Sequence, residues 1–144
     1  MVIPKECIIG KKLNEDFCLE LFEGIANRMK WYEANNFCTQ KFGNEAKLLE
    51  IYSLDEINTL VRMYKNGANI KKIWLGFSDE NRPKNNFVTA SNSSQEMTFN
   101  NFQNGRPSKI GQYNCVVMDM KNGMWFDETC HNRINFGCMI PRFK

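Results

Sequence analysis

Six cysteines are the residues with the most chemistry in this 144-residue chain. They are Cys7, Cys18, Cys38, Cys115, Cys130 and Cys138. None stands in a C-x-x-C pair, and the single histidine, His131, cannot complete a Cys/His zinc set. An even number of cysteines without metal-ligand spacing indicates disulfide bonds, which persist in oxidising compartments. We therefore predict a secreted, extracellular protein.

The remaining polar residues do not form a catalytic set. One histidine with no free thiol excludes most nucleophile–base triads. Two carboxylate pairs occur, Asp55–Glu56 and Asp127–Glu128, but adjacent residues do not converge on a substrate. We predict that the chain is not an enzyme.

Length and charge restrict the organisation and the partners. A chain of 144 residues is typical of one domain, and we predict an N-terminal tail over 1–6 and a domain over 7–144. No run of about 18 apolar residues occurs, so we expect no membrane span. The net charge of +3 is mild and accompanies no basic stripe or nucleic-acid motif, which argues against nucleic-acid binding.

Two segments have the periodicity of helices. The first, 30–42, has apolar residues at steps of three or four, with Gly43 as its stop signal. The second begins at a predicted capping box, Ser53 with Glu56, and ends at Gly67. The apolar faces are Trp31, Ala34, Cys38 and Phe42 in the first and Ile57, Leu60, Val61 and Tyr64 in the second.

Short apolar or alternating runs predict strands around these helices. They cover residues 17–22, 48–51, 73–77, 115–118, 124–126 and 136–140. Asn122-Gly123 is a strong signal for a hairpin turn between the fourth and fifth of them. A polar stretch at 10–14 suits a turn between Cys7 and Cys18.

The segment 78–112 has little periodicity and many Asn, Ser and Lys residues. A loop of this length in a compact domain is usually functional or disordered. Because Phe87, Met97, Phe99 and Phe102 are scattered through it, we predict an ordered loop with its own packed interior.

A series of short motifs resembles the C-type lectin-like domain in its long form with six cysteines. The motifs are Met29-Lys30-Trp31-Tyr32-Glu33-Ala34 leading into Cys38, Leu48-Leu49-Glu50-Ile51 with Ser53 and Glu56, Trp74-Leu75-Gly76, Gly105-Arg106-Pro107-Ser108, Cys115, Trp125-Phe126-Asp127 before Cys130, and Phe136-Gly137-Cys138. They follow the family's order from Cys7 to Ile140. Each is weak alone, whereas their order together with the cysteine spacing is specific.

The resemblance implies an α+β fold in which two helices flank two small antiparallel sheets and a long loop carries the binding surface. It also implies three disulfides: Cys7–Cys18, Cys38–Cys138 and Cys115–Cys130. The residues alone leave fifteen pairings open. Such bridges contribute up to about 4–5 kcal/mol for the longest closure and about 3 kcal/mol for Cys115–Cys130.

The family's sugar-binding members hold Ca²⁺ with oxygen ligands, and the matching positions here have changed. Arg106 and Ser108 flank Pro107 in the ligand triplet, Tyr113 stands in place of a glutamate, and Phe126 replaces an asparagine, while Asp127 remains. A guanidinium about 4 Å from the ion repels it by roughly 8 kcal/mol at an effective dielectric of 20. We predict no calcium at this position.

The family's other calcium positions give weaker signals. At the auxiliary position Asp79 is kept, but Pro83, Lys109 and Asn114 replace other ligands. Some relatives hold a structural ion near the residues that match Ser53 and Asp55, but helix capping already explains Ser53. We therefore predict no metal or other cofactor.

Two kinds of partner remain open. In the first, the domain binds glycans directly, including sulfated, sialylated or phosphorylated ones, because residues 69–112 hold six basic and three acidic side chains. The predicted contact residues are Arg106, Ser108, Lys109, Tyr113, Asn114 and Asp127. In the second, the loop binds a cell-surface or pathogen-surface protein through Phe87, Met97, Phe99, Phe102 and Phe126. The resemblance makes innate defence the expected setting for either partner.

The predicted loop also contains a modification motif. Asn92-Ser93-Ser94 is an N-glycosylation sequon. Because the implied pairing uses all six cysteines within the chain, we expect a monomer or a non-covalent dimer.

Overall fold

The computed structural model of the protein describes residues 6–108 and 111–142. In chain order, its elements are β1 (Lys11–Lys12), β2 (Phe17–Phe22), α1 (Trp31–Phe42), β3 (Lys47–Leu48), α2 (Leu54–Lys65), β4 (Lys72–Ser78), β5 (Val88–Thr89), β6 (Cys115–Asp119), β7 (Trp125–Glu128) and β8 (Phe136–Pro141). One antiparallel sheet has the strand order β1-β2-β8-β3, and the other has the order β5-β4-β6-β7. The predicted α+β class with two helices and two small sheets is confirmed.

Both helices form where the periodicity predicts them. In α1 the residues Trp31, Ala34 and Cys38 are buried, and the chain turns away at Gly43. In α2 the hydroxyl of Ser53 accepts a hydrogen bond from the Glu56 amide at 3.3 Å. The Glu56 carboxylate reaches back to the Tyr52 amide, at 2.7 Å, and not to Ser53, so only half of the predicted capping box forms.

The strand predicted over 48–51 is shorter than expected. Only Lys47 and Leu48 pair with β8, because the chain then crosses from one sheet to the other. The Leu49 amide donates to the Gly137 carbonyl at 3.1 Å, while the Leu49 carbonyl accepts from the Gly76 amide at 2.6 Å. Residues 49–51 are therefore buried backbone that joins the two sheets.

The three disulfides implied by the resemblance are formed. The Cα atoms of Cys38 and Cys138 are 5.4 Å apart, and this bridge ties α1 to β8 across 100 residues of sequence. Trp74 and Trp125, which stand in two of the family motifs, are fully buried. No helix within the described residues has the length and apolar character needed to cross a membrane.

The long loop is packed, as predicted, by aromatic residues. Phe99 and Phe102 meet the Trp125 ring edge-on, with ring centroids 5.8 and 5.9 Å away. The short strand β5 lies inside the loop and pairs with the end of β4, which the sequence did not predict.

The returning part of the loop is fixed alongside β7. The Asn101 carbonyl accepts from the Trp125 amide, and the Gln103 amide donates to the Trp125 carbonyl, both at 2.9 Å. The Asn101 side chain also donates to the Gly123 carbonyl at 2.7 Å. These bonds bring the next turn of the loop, with Arg106, next to Asp127 of β7.

Candidate functional site

A buried carboxylate, Asp127 of β7, is the centre of the site. Its two oxygens accept hydrogen bonds from the Arg106 guanidinium at 2.8 Å and from the Ser108 amide at 2.7 Å. The same Nη1 of Arg106 donates to the Asp127 carbonyl at 3.1 Å. Both carboxylate oxygens of Asp127 are therefore occupied by N–H donors of the loop.

A second buried carboxylate, Asp79, follows the end of β4. It accepts from the Asn114 side chain at 2.7 Å and from the Asn85 amide at 2.6 Å. Asn85 lies in the left-handed region, at φ 68°, which turns the chain back over Asp79. The turn that carries Lys84 is held against the end of the sheet in this way.

The ammonium group of Lys84 lies between the two carboxylates. It is 3.7 Å from Asp79 and 3.9 Å from Asp127, and it donates to the Tyr113 carbonyl at 2.5 Å. We call Asp79, Lys84, Arg106 and Asp127 the loop cluster. It contains two cations and two carboxylates, so its formal charge is balanced within the protein.

Burial decides how strongly the loop cluster holds the loop. Both carboxylates are fully buried, whereas the side chains of Lys84 and Arg106 are 26% and 35% exposed. Removing one partner of a buried ion pair costs about 3–5 kcal/mol, because the other charge is left without compensation. The cluster therefore fixes the loop on the sheet, while its two cations remain accessible from solvent.

Two aromatic rings border the accessible guanidinium. The carbon Cζ of Arg106 is 5.7 Å from the centre of the Tyr113 ring and 5.9 Å from that of Phe126. Cation–π contacts of this kind contribute about 0.5–1 kcal/mol at exposed sites. Together they form a half-exposed surface of one planar cation and two rings.

A separate buried carboxylate, Glu50, anchors the middle of the loop. It accepts hydrogen bonds from Ser91 of the loop, at 2.7 Å, and from the Tyr52 hydroxyl, and it pairs with Lys47 at 3.3 Å. Burial, and then the hydrogen bond to Glu50, raises the pKa of Tyr52. The neutral phenol is therefore the stable form beside this carboxylate.

The structure brings five of the six predicted contact residues together. Arg106, Ser108, Tyr113, Asn114 and Asp127 all lie in or beside the loop cluster, whereas Lys109 lies outside the described residues. Their environments differ. Asp127 is buried, and the Asn114 side chain donates a hydrogen bond to Asp79, so these two side chains hold other residues of the site in position.

Sequence reasoning missed the position of Lys84. It entered only as one of the six basic residues of 69–112, and no pattern tells whether a lysine in a loop turns inward. Among the described members of that set, Lys72 begins β4 whereas Lys84 follows its far end, so their backbones lie at opposite ends of the strand. The predicted aromatic anchors are also mostly internal: Phe87 is buried, and Met97, Phe99 and Phe102 pack on the core.

The residues of the loop cluster do not fit calcium. Ca²⁺ needs six to eight oxygen ligands, but N–H donors occupy both oxygens of Asp127, and two cationic side chains lie within 4 Å of it. In 6–108 and 111–142, no three His, Cys, Asp or Glu side chains are grouped so that they could hold a metal ion.

Comparison with known proteins gives one family match. A family model described as "Lectin C-type domain" matches residues 27–140. Among curated proteins, mouse lymphocyte antigen 75 is 27% identical over 134 residues, which is 92% of this chain but 7% of that protein. The chain therefore spans a small part of this relative. Light chain 2 of the snaclec coagulation factor X-activating enzyme of Daboia siamensis is 24% identical over 94% of this chain and 82% of its own length.

Solved structures have the same fold. The carbohydrate-recognition domain of cow CD23, determined in the presence of a GlcNAc2Man3 oligosaccharide, is 27% identical and aligns with a TM-score of 0.70 over 89% of this chain and 90% of that one. Human lithostathine, at 18% identity, aligns with a TM-score of 0.79 over 98% and 96% of the two chains.

Proposed function

The chain belongs to the lectin C-type domain family, and we propose that it is a secreted recognition domain that binds glycans, including anionic ones, without calcium. One observation carries the proposal: Lys84 and Arg106 supply the positive charge beside Asp79 and Asp127. A loop held by built-in cations keeps its shape without a metal ion.

Arg106 supports direct ligand contact. Its Nη1 donates hydrogen bonds to Asp127, but within the described residues neither Nε nor Nη2 of Arg106 has a hydrogen-bond partner. A guanidinium has five N–H donors. The remaining donors can bind a sulfate, phosphate or carboxylate group in the two-bond geometry that arginine favours, while a sugar face stacks on Tyr113.

The setting follows from the disulfides and the family. Three bridges favour an oxidising, extracellular location. The likeness to the CD23 domain, whose structure was determined with an oligosaccharide, supports a glycan ligand. We extend the proposal to glycans on cell and pathogen surfaces in innate defence, and to a monomer or non-covalent dimer, because all six cysteines are paired within the chain.

A glycan array with and without chelator tests the proposal. We expect the same set of bound glycans in 5 mM EDTA as in buffer with CaCl₂. The variant Tyr113→Ala should bind at least about fivefold more weakly, because the ring beside Arg106 is lost. Tyr32→Ala, which removes an exposed tyrosine of α1, is the matched control and should bind like the wild type. Binding that disappears in EDTA would refute calcium independence.

A protein partner is the second candidate. Phe126, half-buried, lies beside Arg106 and Lys72 and presents an aromatic ring between two cations. Aromatic and arginine residues are enriched at interfaces. The relative from Daboia siamensis is named as the light chain of an activating enzyme, which favours assembly with protein. An array without hits, together with capture of one defined serum protein that Phe126→Ala abolishes, would favour this candidate.

A further inference from the structure

A second concentration of positive charge lies in a cleft at the opposite end of β4 from Asp79. Lys72 begins β4, and the long loop leaves the other end of that strand at Ser78. Seven residues of extended chain place these ends about 20 Å apart. The backbone of Lys72 is therefore distant from that of Asp79, although the cleft adjoins the loop cluster at Phe126, which lies beside both Lys72 and Arg106.

Two neighbouring cavities, each about 350 Å³, form this cleft and share Lys71 and Lys72. The first also contains Arg28, Arg133 and Glu128, and the second contains Lys121, Asp119 and Phe126. We call the two cavities together the basic cleft. Each volume lies within the range of small-ligand sites, and their continuity suits a ligand longer than one sugar unit.

The charges of the basic cleft are concentrated and mostly unpaired. Five basic side chains face two acidic ones there, an excess of three, which equals the net charge of the whole chain. Among the described residues, no carboxylate lies within ion-pair distance of Arg28, Lys71, Lys72 or Lys121. Arg133 alone of the five is paired, with Glu33 at 3.4 Å.

The two carboxylates of the cleft are directed to local hydrogen bonds. Glu128 accepts from the Thr129 amide and from the Asn132 side chain, at 3.0 and 2.9 Å. Asp119 accepts from the Lys121 amide at 2.8 Å. Both carboxylates keep their charge, and Asp119 lies opposite Lys72 in the sheet, but neither is within ion-pair distance of a lysine of the cleft, so they offset the five cations only in part.

The backbone that carries these cations is rigid. Met29 and Ile134 form an antiparallel bridge, which places Arg28 and Arg133 on adjoining chains. The Asn135 side chain donates to the carbonyls of Phe22 and Gly24, at 2.9 and 2.8 Å. Lys71 is held at its carbonyl, which accepts from the Met120 amide at 2.9 Å. The backbone positions that carry these cations are thus held before any ligand arrives.

From this arrangement we infer that the basic cleft binds a sulfated polysaccharide. Converging, unpaired cations on a rigid surface bind sulfate oxygens through charge-assisted hydrogen bonds. The three disulfides favour an oxidising, extracellular environment. Phe126 lies at the edge of the basic cleft, with its ring centre 5.7 Å from the ammonium of Lys72 and 5.9 Å from the guanidinium carbon of Arg106. A long chain can therefore continue from the cleft toward the loop cluster.

Heparin is the probe, measured by titration calorimetry at 150 mM NaCl. The double variant Lys71→Gln with Lys72→Gln should bind at least about tenfold more weakly than the wild type, and its affinity should fall less steeply with salt, because fewer counterions are released. Chemically desulfated heparin should bind the wild type at least about tenfold more weakly than heparin.

The matched control is Lys11→Gln with Lys12→Gln, because it also removes two adjacent exposed lysines and changes the net charge equally. It should keep heparin affinity within about twofold. An equal loss in both double variants would overturn the inference, since net charge alone would then explain binding. It would also be overturned if wild-type protein did not bind heparin, if the Lys71/Lys72 variant bound normally, or if an oligodeoxythymidylate of matched charge bound as tightly as heparin.

The outcome is distinguishable from that of the proposed function. Tyr113→Ala should lower glycan-array binding more than it lowers heparin affinity, whereas the Lys71/Lys72 variant should lower heparin affinity more than glycan-array binding. Melting temperatures of all variants provide the folding control. Those of the two lysine double variants should match the wild type, because the four lysines are exposed.

Discussion

Replacing Lys84 by methionine tests whether an internal cation holds the loop. Methionine is similar in size but has no charge, so the change leaves Asp79 and Asp127 without the ammonium that lies 3.7 and 3.9 Å away. Each contact is worth about 4 kcal/mol at an effective dielectric of 20, before the desolvation of the charges is subtracted. Loss of one partner from a buried pair typically costs about 3–5 kcal/mol.

We expect the loss in Lys84→Met to lie at or below the lower limit of that range. Lys84 is 26% exposed, Asp127 keeps its bonds to Arg106 and Ser108, and Asp79 keeps its bond to Asn114. We expect the free energy of unfolding to fall by about 2–3 kcal/mol, which lowers the melting temperature by about 5–10 °C in a chain of this size.

Guanidinium unfolding with the disulfides intact, followed by tryptophan fluorescence, measures this loss. Trp74 and Trp125 are fully buried in the second sheet and pack in different hydrophobic clusters of the core. Arg82→Gln is the matched control: Arg82 is an exposed cation of the same turn, with one long contact to the Ser93 carbonyl at 3.4 Å. It should change the stability by less than about 0.5 kcal/mol. If Lys84→Met is as stable as Arg82→Gln, the loop cluster does not hold the loop.

Three further results are expected. Adding 5 mM CaCl₂ or EDTA should leave the melting temperature unchanged within about 1 °C, because N–H donors occupy the oxygens of Asp127; a rise with calcium would contradict the fit of the site. Because the folded pKa of Tyr52 is raised, the stability it contributes is complete below the ordinary tyrosine pKa of about 10 and is lost as pH rises above it. Urea melts at pH 8 and pH 11 should therefore show a larger loss for the wild type than for Tyr52→Phe, and equal losses would refute the raised pKa. Expression in a eukaryotic secretory host should add one N-glycan at the exposed Asn92, seen by mass spectrometry and absent in Asn92→Gln, and an unmodified wild type would count against the sequon.

The sequence predicts the elements whose pattern is local. The strand over 17–22 matches β2 residue for residue, and the helix predicted over 30–42 matches α1 with Lys30 as its cap. In both cases the apolar spacing and the stop signals act within a few residues. The disulfide pairing was available only through the resemblance, because pairing depends on which strands meet in space.

What the sequence missed depends on contacts between distant segments. Residues 49–51 have the apolar character of a strand, yet Leu49 bonds one sheet with its amide and the other with its carbonyl. From the sequence alone, Lys84 resembles a solvated loop lysine. In the structure it lies between Asp79 and Asp127. The direction of a side chain in a loop is set by such distant partners, so it produces no periodic pattern in the sequence.

The bridge between Cys38 and Cys138 fixes the order in which the molecule can mature. Strand β8 lies between β2 and β3 in the first sheet, so these two strands lack their shared partner until residue 141 has been synthesised. At about 5–20 residues per second, the thiol of Cys38 waits roughly 5–20 s for its partner, and Cys7 and Cys18 emerge before either. Premature pairing of Cys38 with an earlier cysteine is then a natural error of biosynthesis, and we expect the yield of native protein to depend on a thiol–disulfide isomerase that can undo it.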